Sequence, residues 1–137
     1  MINKINIRVY AIYIDENRLL ALREGYAGEQ LLKLPGGGLE FGEGVIDCLH
    51  REFAEELNLK IEIVEHFYTQ EEFLASRFRE NEQLLTIYYK VDVLNLSELK
   101  ILDDSIEKIE WISLEEESPL PLPIDKIVFE KLQNRNL

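Results

Sequence analysis

The sequence predicts an α/β fold, a mixed β-sheet carrying helices on its faces. Three observations predict it. Short β-branched and aromatic runs lie on both sides of a central amphipathic stretch, Val45–Leu57. A second helical stretch closes the chain. No internal repeat and no linker-like segment interrupts the 137 residues, so 1–137 reads as one domain.

The elements follow in order. Ile5 to Ile14 reads as a strand: Ile5, Ile7 and Val9 alternate with Asn6, Arg8 and Tyr10, and its second half is apolar on both sides. Asp15 to Asn17 is a turn, and Arg18 to Arg23 returns as a second strand. "EGYAGEQ" (24–30) reads as a polar loop and "LLKL" (31–34) as a short strand stopped by Pro35. In the helix, Ile46, Leu49, Phe53 and Leu57 make one apolar stripe. "LKIEIV" (59–64), "EQLLTIYYKVDVL" (82–94) and "KIEWIS" (108–113) read as strands, the long one as central. The prolines of "SPLPLP" (118–123) hold a connector extended. The terminal helix 124–133 turns Ile124, Ile127, Val128 and Leu132 inward.

Charge narrows the function. A formal net charge of −12 opposes binding to long nucleic acids or anionic membranes. It allows a small phosphorylated ligand where local cations or a metal offset it. No apolar run approaches a membrane span, and "MINKINIRVYAIYI" lacks the form of a signal peptide. With Cys48 alone, no intrachain disulfide forms, and a reducing cytoplasm is the expected location. A homodimer stays open.

Chemistry concentrates in "LPGGGLEFGEGVIDCLHREFAEELNL" (34–59). At 100° per residue, Glu52, Glu55 and Glu56 fall within a sector of roughly 100° flanking the apolar stripe. Like charges at this spacing weaken a helix. A charge run is usually a solvated face, but carboxylates converging beside a buried face also make a site for a hard cation such as Mg²⁺, which takes oxygen ligands. Arg51 lies one turn before Glu55 and can pair with it. Gly36, Gly37 and Gly38 let the backbone approach a ligand closely. Cys48 reads as a small half-buried residue, and isolated His50 and His66 form no zinc spacing.

These residues resemble the signature of Nudix hydrolases: Gly37, Glu43, Arg51, Glu52, Phe53, Glu55, Glu56 and Leu59 match it in order. Asn58 stands where that family has glycine, and asparagine is the next best residue for a left-handed helix end. Glutamate fills 21 positions, yet chance placement of the six fixed residues is only about one in five thousand for the whole chain, treating usage as independent.

The resemblance implies an α/β/α sandwich. It implies Mg²⁺ or Mn²⁺ held by Glu52, Glu55, Glu56 and the Gly37 carbonyl, with Arg51 fixing a ligand. It also implies that Glu43 orders the glycine loop and that Arg23 contacts phosphate, with Gly36, Gly37 and Gly38 lining the substrate. The reaction it implies is hydrolysis of a diphosphate bond in a nucleoside diphosphate joined to a further group. Many members carry one more glutamate before the tryptophan strand. Here Ser105 aligns with it, Asp103, Asp104 and Glu107 are nearby, and Asp104 is the first choice of substitute.

Nothing in the sequence selects among nucleotide sugars, ADP-ribose-like compounds and nucleoside triphosphates. Tyr26, Phe67, Tyr68, Tyr88 and Tyr89 are candidates to stack on a base, and Arg77–Arg79 to steer phosphates. The alternative from another class is a Nudix-like domain that binds a nucleotide without catalysis. Such a domain is expected to have lost the glutamates that this chain keeps.

Overall fold

The computed structural model describes residues 1–26 and 28–135. Eight strands and two long helices follow in the order β1 (Lys4–Ile12), β2 (Ile14–Asp15), β3 (Arg18–Tyr26), β4 (Glu29–Lys33), β5 (Gly36–Gly38), α1 (Val45–Leu57), β6 (Ile61–Thr69), β7 (Glu82–Val93), β8 (Ile106–Ser113) and α2 (Pro123–Arg135). One sheet runs β5-β1-β7-β6, with β1 and β7 parallel and the other pairs antiparallel. In the other, β3 pairs with β2, β4 and β8, all antiparallel.

Period-two alternation explains the layering. Val9, Ala11, Leu20 and Leu22 pack with Leu49, Phe53 and Leu57 of α1. Their sequence neighbours Tyr10, Ile12, Leu19 and Ala21 pack with Val128, Phe129 and Leu132 of α2. The expected α/β/α sandwich with a mixed sheet is the one found. The long strand β7 is central in its sheet.

Details differ where tertiary contacts decide. Ile46 is 42% exposed, and Cys48 takes its place in the buried face of α1. In α2, Asp125 and Phe129 are buried while Ile127 is only partly so. Most of the segment 24–30 is strand rather than loop: β3 runs on to Tyr26 and β4 starts at Glu29. The glycines are also a strand. Gly36 has φ 143°, and a β-carbon there would run into the Val9 carbonyl, so glycine alone lets β5 pair with β1.

Helix α1 ends as the sequence implies. Asn58 takes the left-handed conformation (φ 58°), and the Leu59 amide donates to the Phe53 carbonyl at 3.2 Å. At its start, the Gly44 amide donates to the Asp47 carboxylate at 3.0 Å. No helix among the described residues is long and apolar enough to cross a membrane.

Candidate active site

The open cleft beside β5 is lined by the three glycines, by Arg51, Glu52, Glu55 and Glu56 of α1, and by Asp103 and Asp104 of the loop before β8. Glycine at 37 is a spatial requirement. A β-carbon there would lie 2.5 Å from the Glu52 carboxylate. The glycine strand therefore gives Glu52 room to lie flat against the backbone.

Arg51 organises this carboxylate. Its Nη1 donates to Glu52 Oε1 at 2.9 Å, and its Nε and Nη2 grip both oxygens of Glu43 at 3.0 and 2.7 Å. Nη2 also donates to the Gly38 carbonyl at 3.0 Å. The expected contact with Glu55 exists at 3.4 Å, but Glu55 is mostly exposed at the rim. The main partner of Arg51 is thus Glu43, whose carboxyl is held down to about 2 by that bond. Glu43 also accepts from the Glu40 amide at 2.9 Å, which ties the glycine loop to α1. Glu43 and Glu52 together hold the Arg51 proton more firmly than usual.

Glu56 lies deeper. Burial first, and then the neighbouring Glu52 and Glu24, push its pKa up to about 9. Glu24, Glu56 and Asp103 bring oxygens within 4.8 Å of one another. Glu24 is buried and paired with buried Lys33 at 2.7 Å. Asp103 is held low by the Ser105 amide and hydroxyl, at 2.9 and 2.8 Å. Asp103, half-buried, is therefore the acid that the loop brings to Glu56. Asp104 lines the cleft but is exposed, as are Ser105 and Glu107.

This donor set fits a divalent cation. It is made of carboxylate oxygens, the cleft carries more acids than Arg8, Lys33 and Arg51 balance, and the crowding that raises the Glu56 pKa is one a cation would relieve.

Arg23 does not join the cleft. It lies on β3 with its guanidinium on Glu110 of β8 at 2.6 and 3.2 Å. The β3–β8 register shifts between Arg23 and Glu24, and it is Glu24 that lines the cleft. The cations at the cleft are instead Arg8 and Lys33, besides Arg51. The Gly37 carbonyl has the Cys48 thiol 3.8 Å away. That thiol is fully buried, and burial pushes it up to about 12, as suits a residue packed in the core.

A cavity of about 390 Å³ adjoins the cleft, between the sheets and the start of α2. Tyr26 and Tyr88 line it, whereas Phe67, Tyr68 and Tyr89 do not. Phe78 joins Tyr26 there, with ring centroids 4.7 Å apart. The flanking arginines Arg77 and Arg79 also line the cavity, brought in by the bridge between Ala75 and Gln83. At its inner end, Tyr88 donates to buried Asp125 at 2.6 Å. One signal for Arg8 was present in the sequence: a cation beside the half of the strand that is apolar on both sides. Glu24 and Lys33 carried none, because only the sheet geometry brings them to α1, whereas Asp103 stood among the acids near Ser105.

A family model described as the NUDIX domain matches residues 4–132. The fold is similar to the crystal structure of a MutT NUDIX hydrolase from Burkholderia pseudomallei, at 18% identity, covering 95% of this chain and 99% of that one, with a TM-score of 0.79. A MutT protein from Methanosarcina mazei Go1 is similar at 19% identity, 99% and 98% coverage, and a TM-score of 0.78. A UDP-X diphosphatase is similar at 14% identity, 100% and 66% coverage, and a TM-score of 0.72. With the family match spanning nearly the whole sequence and the glutamate helix standing over the glycine strand, the chain belongs to the NUDIX domain family and has the fold of its pyrophosphohydrolases.

Proposed function

We propose that this Nudix pyrophosphohydrolase cleaves a diphosphate bond in a nucleoside diphosphate derivative, using Mg²⁺ or Mn²⁺. The observation that carries the reading is an acidic cleft, lined by Glu24, Glu52, Glu56 and Asp103, that adjoins a cavity lined by aromatic rings. The cavity volume lies in the usual range of small-molecule sites, about 300–1,000 Å³. Tyr26 and Phe78 offer it a surface on which a base can stack.

Each residue has a role that follows from its position. Glu52 and Glu56 are the principal ligands, and Glu24 and Asp103 complete the oxygen set. Gly37 gives the space in which Glu52 lies, and Arg51, fixed by Glu43, aims the Glu52 carboxylate. Glu55, at the rim, orients water. Lys33 holds Glu24 in place. Bound metal supplies neutralisation of phosphate charge and a water of lowered pKa.

The substrate class includes nucleotide sugars, ADP-ribose-like compounds and nucleoside triphosphates. The UDP-X diphosphatase that shares this fold is named for a nucleoside diphosphate joined to a further group, which supports the diphosphate-linkage reading. The test is incubation of the pure protein with Mg²⁺ or Mn²⁺ and a panel of these compounds, with products separated by chromatography. Metal-dependent release of a nucleoside monophosphate, lost in Glu56→Gln, supports the reading. Nucleotide binding without turnover or metal dependence would favour the non-catalytic alternative.

A further inference from the structure

Arg8 stands where the aromatic cavity and the acidic cleft join, lining both together with Glu24, Tyr26 and Lys33. Its Nε donates to the Tyr10 hydroxyl at 2.6 Å, so the guanidinium is aimed rather than free to swing. Its outer nitrogens are a different matter. Arg18, Arg23, Arg51, Arg77 and Arg135 each make an ion pair, and so does Lys33. Half-buried Arg8 makes none among the described residues.

Arg79 and seven lysines also make none among the described residues, but apart from half-buried Lys90 they are exposed to water, which solvates their charge. Partial burial of a cation costs free energy that a nearby anion must offset. The edge of the sheet is also bare at this point. Arg8 is in register with Gly38, and a β-carbon on Gly38 would sit 3.4 Å from Nη1. A glycine there keeps that side of the guanidinium clear of side chains.

We propose that Arg8 is a substrate-binding residue. Its outer nitrogens donate to the non-bridging oxygens of the phosphate that joins the cavity-bound nucleoside to the acidic cleft. This rests on the reading of the cleft as a nucleotide pyrophosphohydrolase site. Arginine suits the position because one nitrogen can be spent on Tyr10 while two still face the phosphate as a fork. The same contact survives cleavage, since the nucleoside monophosphate left in the cavity keeps that phosphate.

The test is calorimetric binding, at fixed millimolar Mg²⁺, of four pairs: adenosine and AMP, guanosine and GMP, cytidine and CMP, uridine and UMP. For the base it accepts, the wild-type protein should bind the monophosphate more tightly than the nucleoside. Arg8→Ala should weaken monophosphate binding by roughly ten- to a hundredfold, the usual effect of losing hydrogen bonds to a charged group, with nucleoside affinity unchanged. Unchanged nucleoside affinity also reports an intact fold. Arg8→Lys should restore part of the loss, and Tyr10→Phe, which keeps the ring but releases Nε, should show a smaller loss. An Arg8→Ala protein with the wild-type preference for monophosphate overturns the assignment and leaves the enzymatic reading standing. A wild-type protein that binds no member of any pair overturns both.

Discussion

Gly37 and Glu52 occupy one space: a β-carbon on the first would lie 2.5 Å from the carboxylate carbon and from one oxygen of the second. The contact is with the end of a flexible side chain, so the fold can yield by moving Glu52. Gly37→Ala should therefore keep a cooperative melt, with a loss of a few degrees. Its kcat should fall by about 100-fold, because the displaced carboxylate leaves the metal site. Paired melting curves and steady-state kinetics check this. Wild-type kcat in a folded Gly37→Ala protein would refute the role given to the contact.

Glu56 makes the metal-free protein pH-sensitive in a direction that can be worked out. Its folded pKa is about 9 against an ordinary 4.5, because burial and Glu52 disfavour the charge. Between those values the native state binds the extra proton and the unfolded state does not, so this group lowers stability as pH rises. In a chelator, the melting temperature should fall from pH 5 to pH 9 more steeply in wild type than in Glu56→Gln, which mimics the protonated acid. Glu43 acts oppositely. Its folded pKa of about 2 makes its contribution present above 4.5 and lost as pH falls toward 2.

The two neighbouring aspartates should separate cleanly. Asp103 lies with Glu24 and Glu56, while Asp104 is exposed. Asp103→Asn should lower activity by about 10- to 100-fold, and Asp104→Asn by less than about threefold. The reverse order would move the fourth acid to the residue the sequence suggested first.

Glu43→Gln tests whether Arg51 acts through its partner. Loss of the paired contacts at 2.7 and 3.0 Å frees Arg51 to turn further onto Glu52 and Glu55. Turnover should drop by about 10- to 100-fold, and the metal concentration for half-maximal rate should rise.

Much of this was legible in order along the chain and little of it across the chain. The α1 stripe, the Asn58 cap and the two-sided strand β1 follow from local periodicity and backbone preference, which a sequence displays directly. Gly36–Gly38 was legible as a place of close approach but not as a strand, because glycine has no strand propensity and pairs here only because β1 lies against it. Arg23 pairs with Glu110 while Glu24 lines the cleft, and the β3–β8 register shift between them is something no local pattern announces. Lys33 and Asp103 reach the glutamate helix through sheet pairing and a loop, so their meeting is a property of topology.

The proposed role of the acidic cluster is to hold a divalent metal, with Glu56 completing the site. Calorimetric titration of Mn²⁺ into the metal-free protein, in two buffers of different ionisation enthalpy near neutral pH, tests it most directly. Saturable binding is expected with release of about one proton per ion, together with a raised melting temperature, all three lost in Glu56→Gln. Binding that Glu56→Gln leaves intact, or a melting temperature unchanged by millimolar metal, would contradict it.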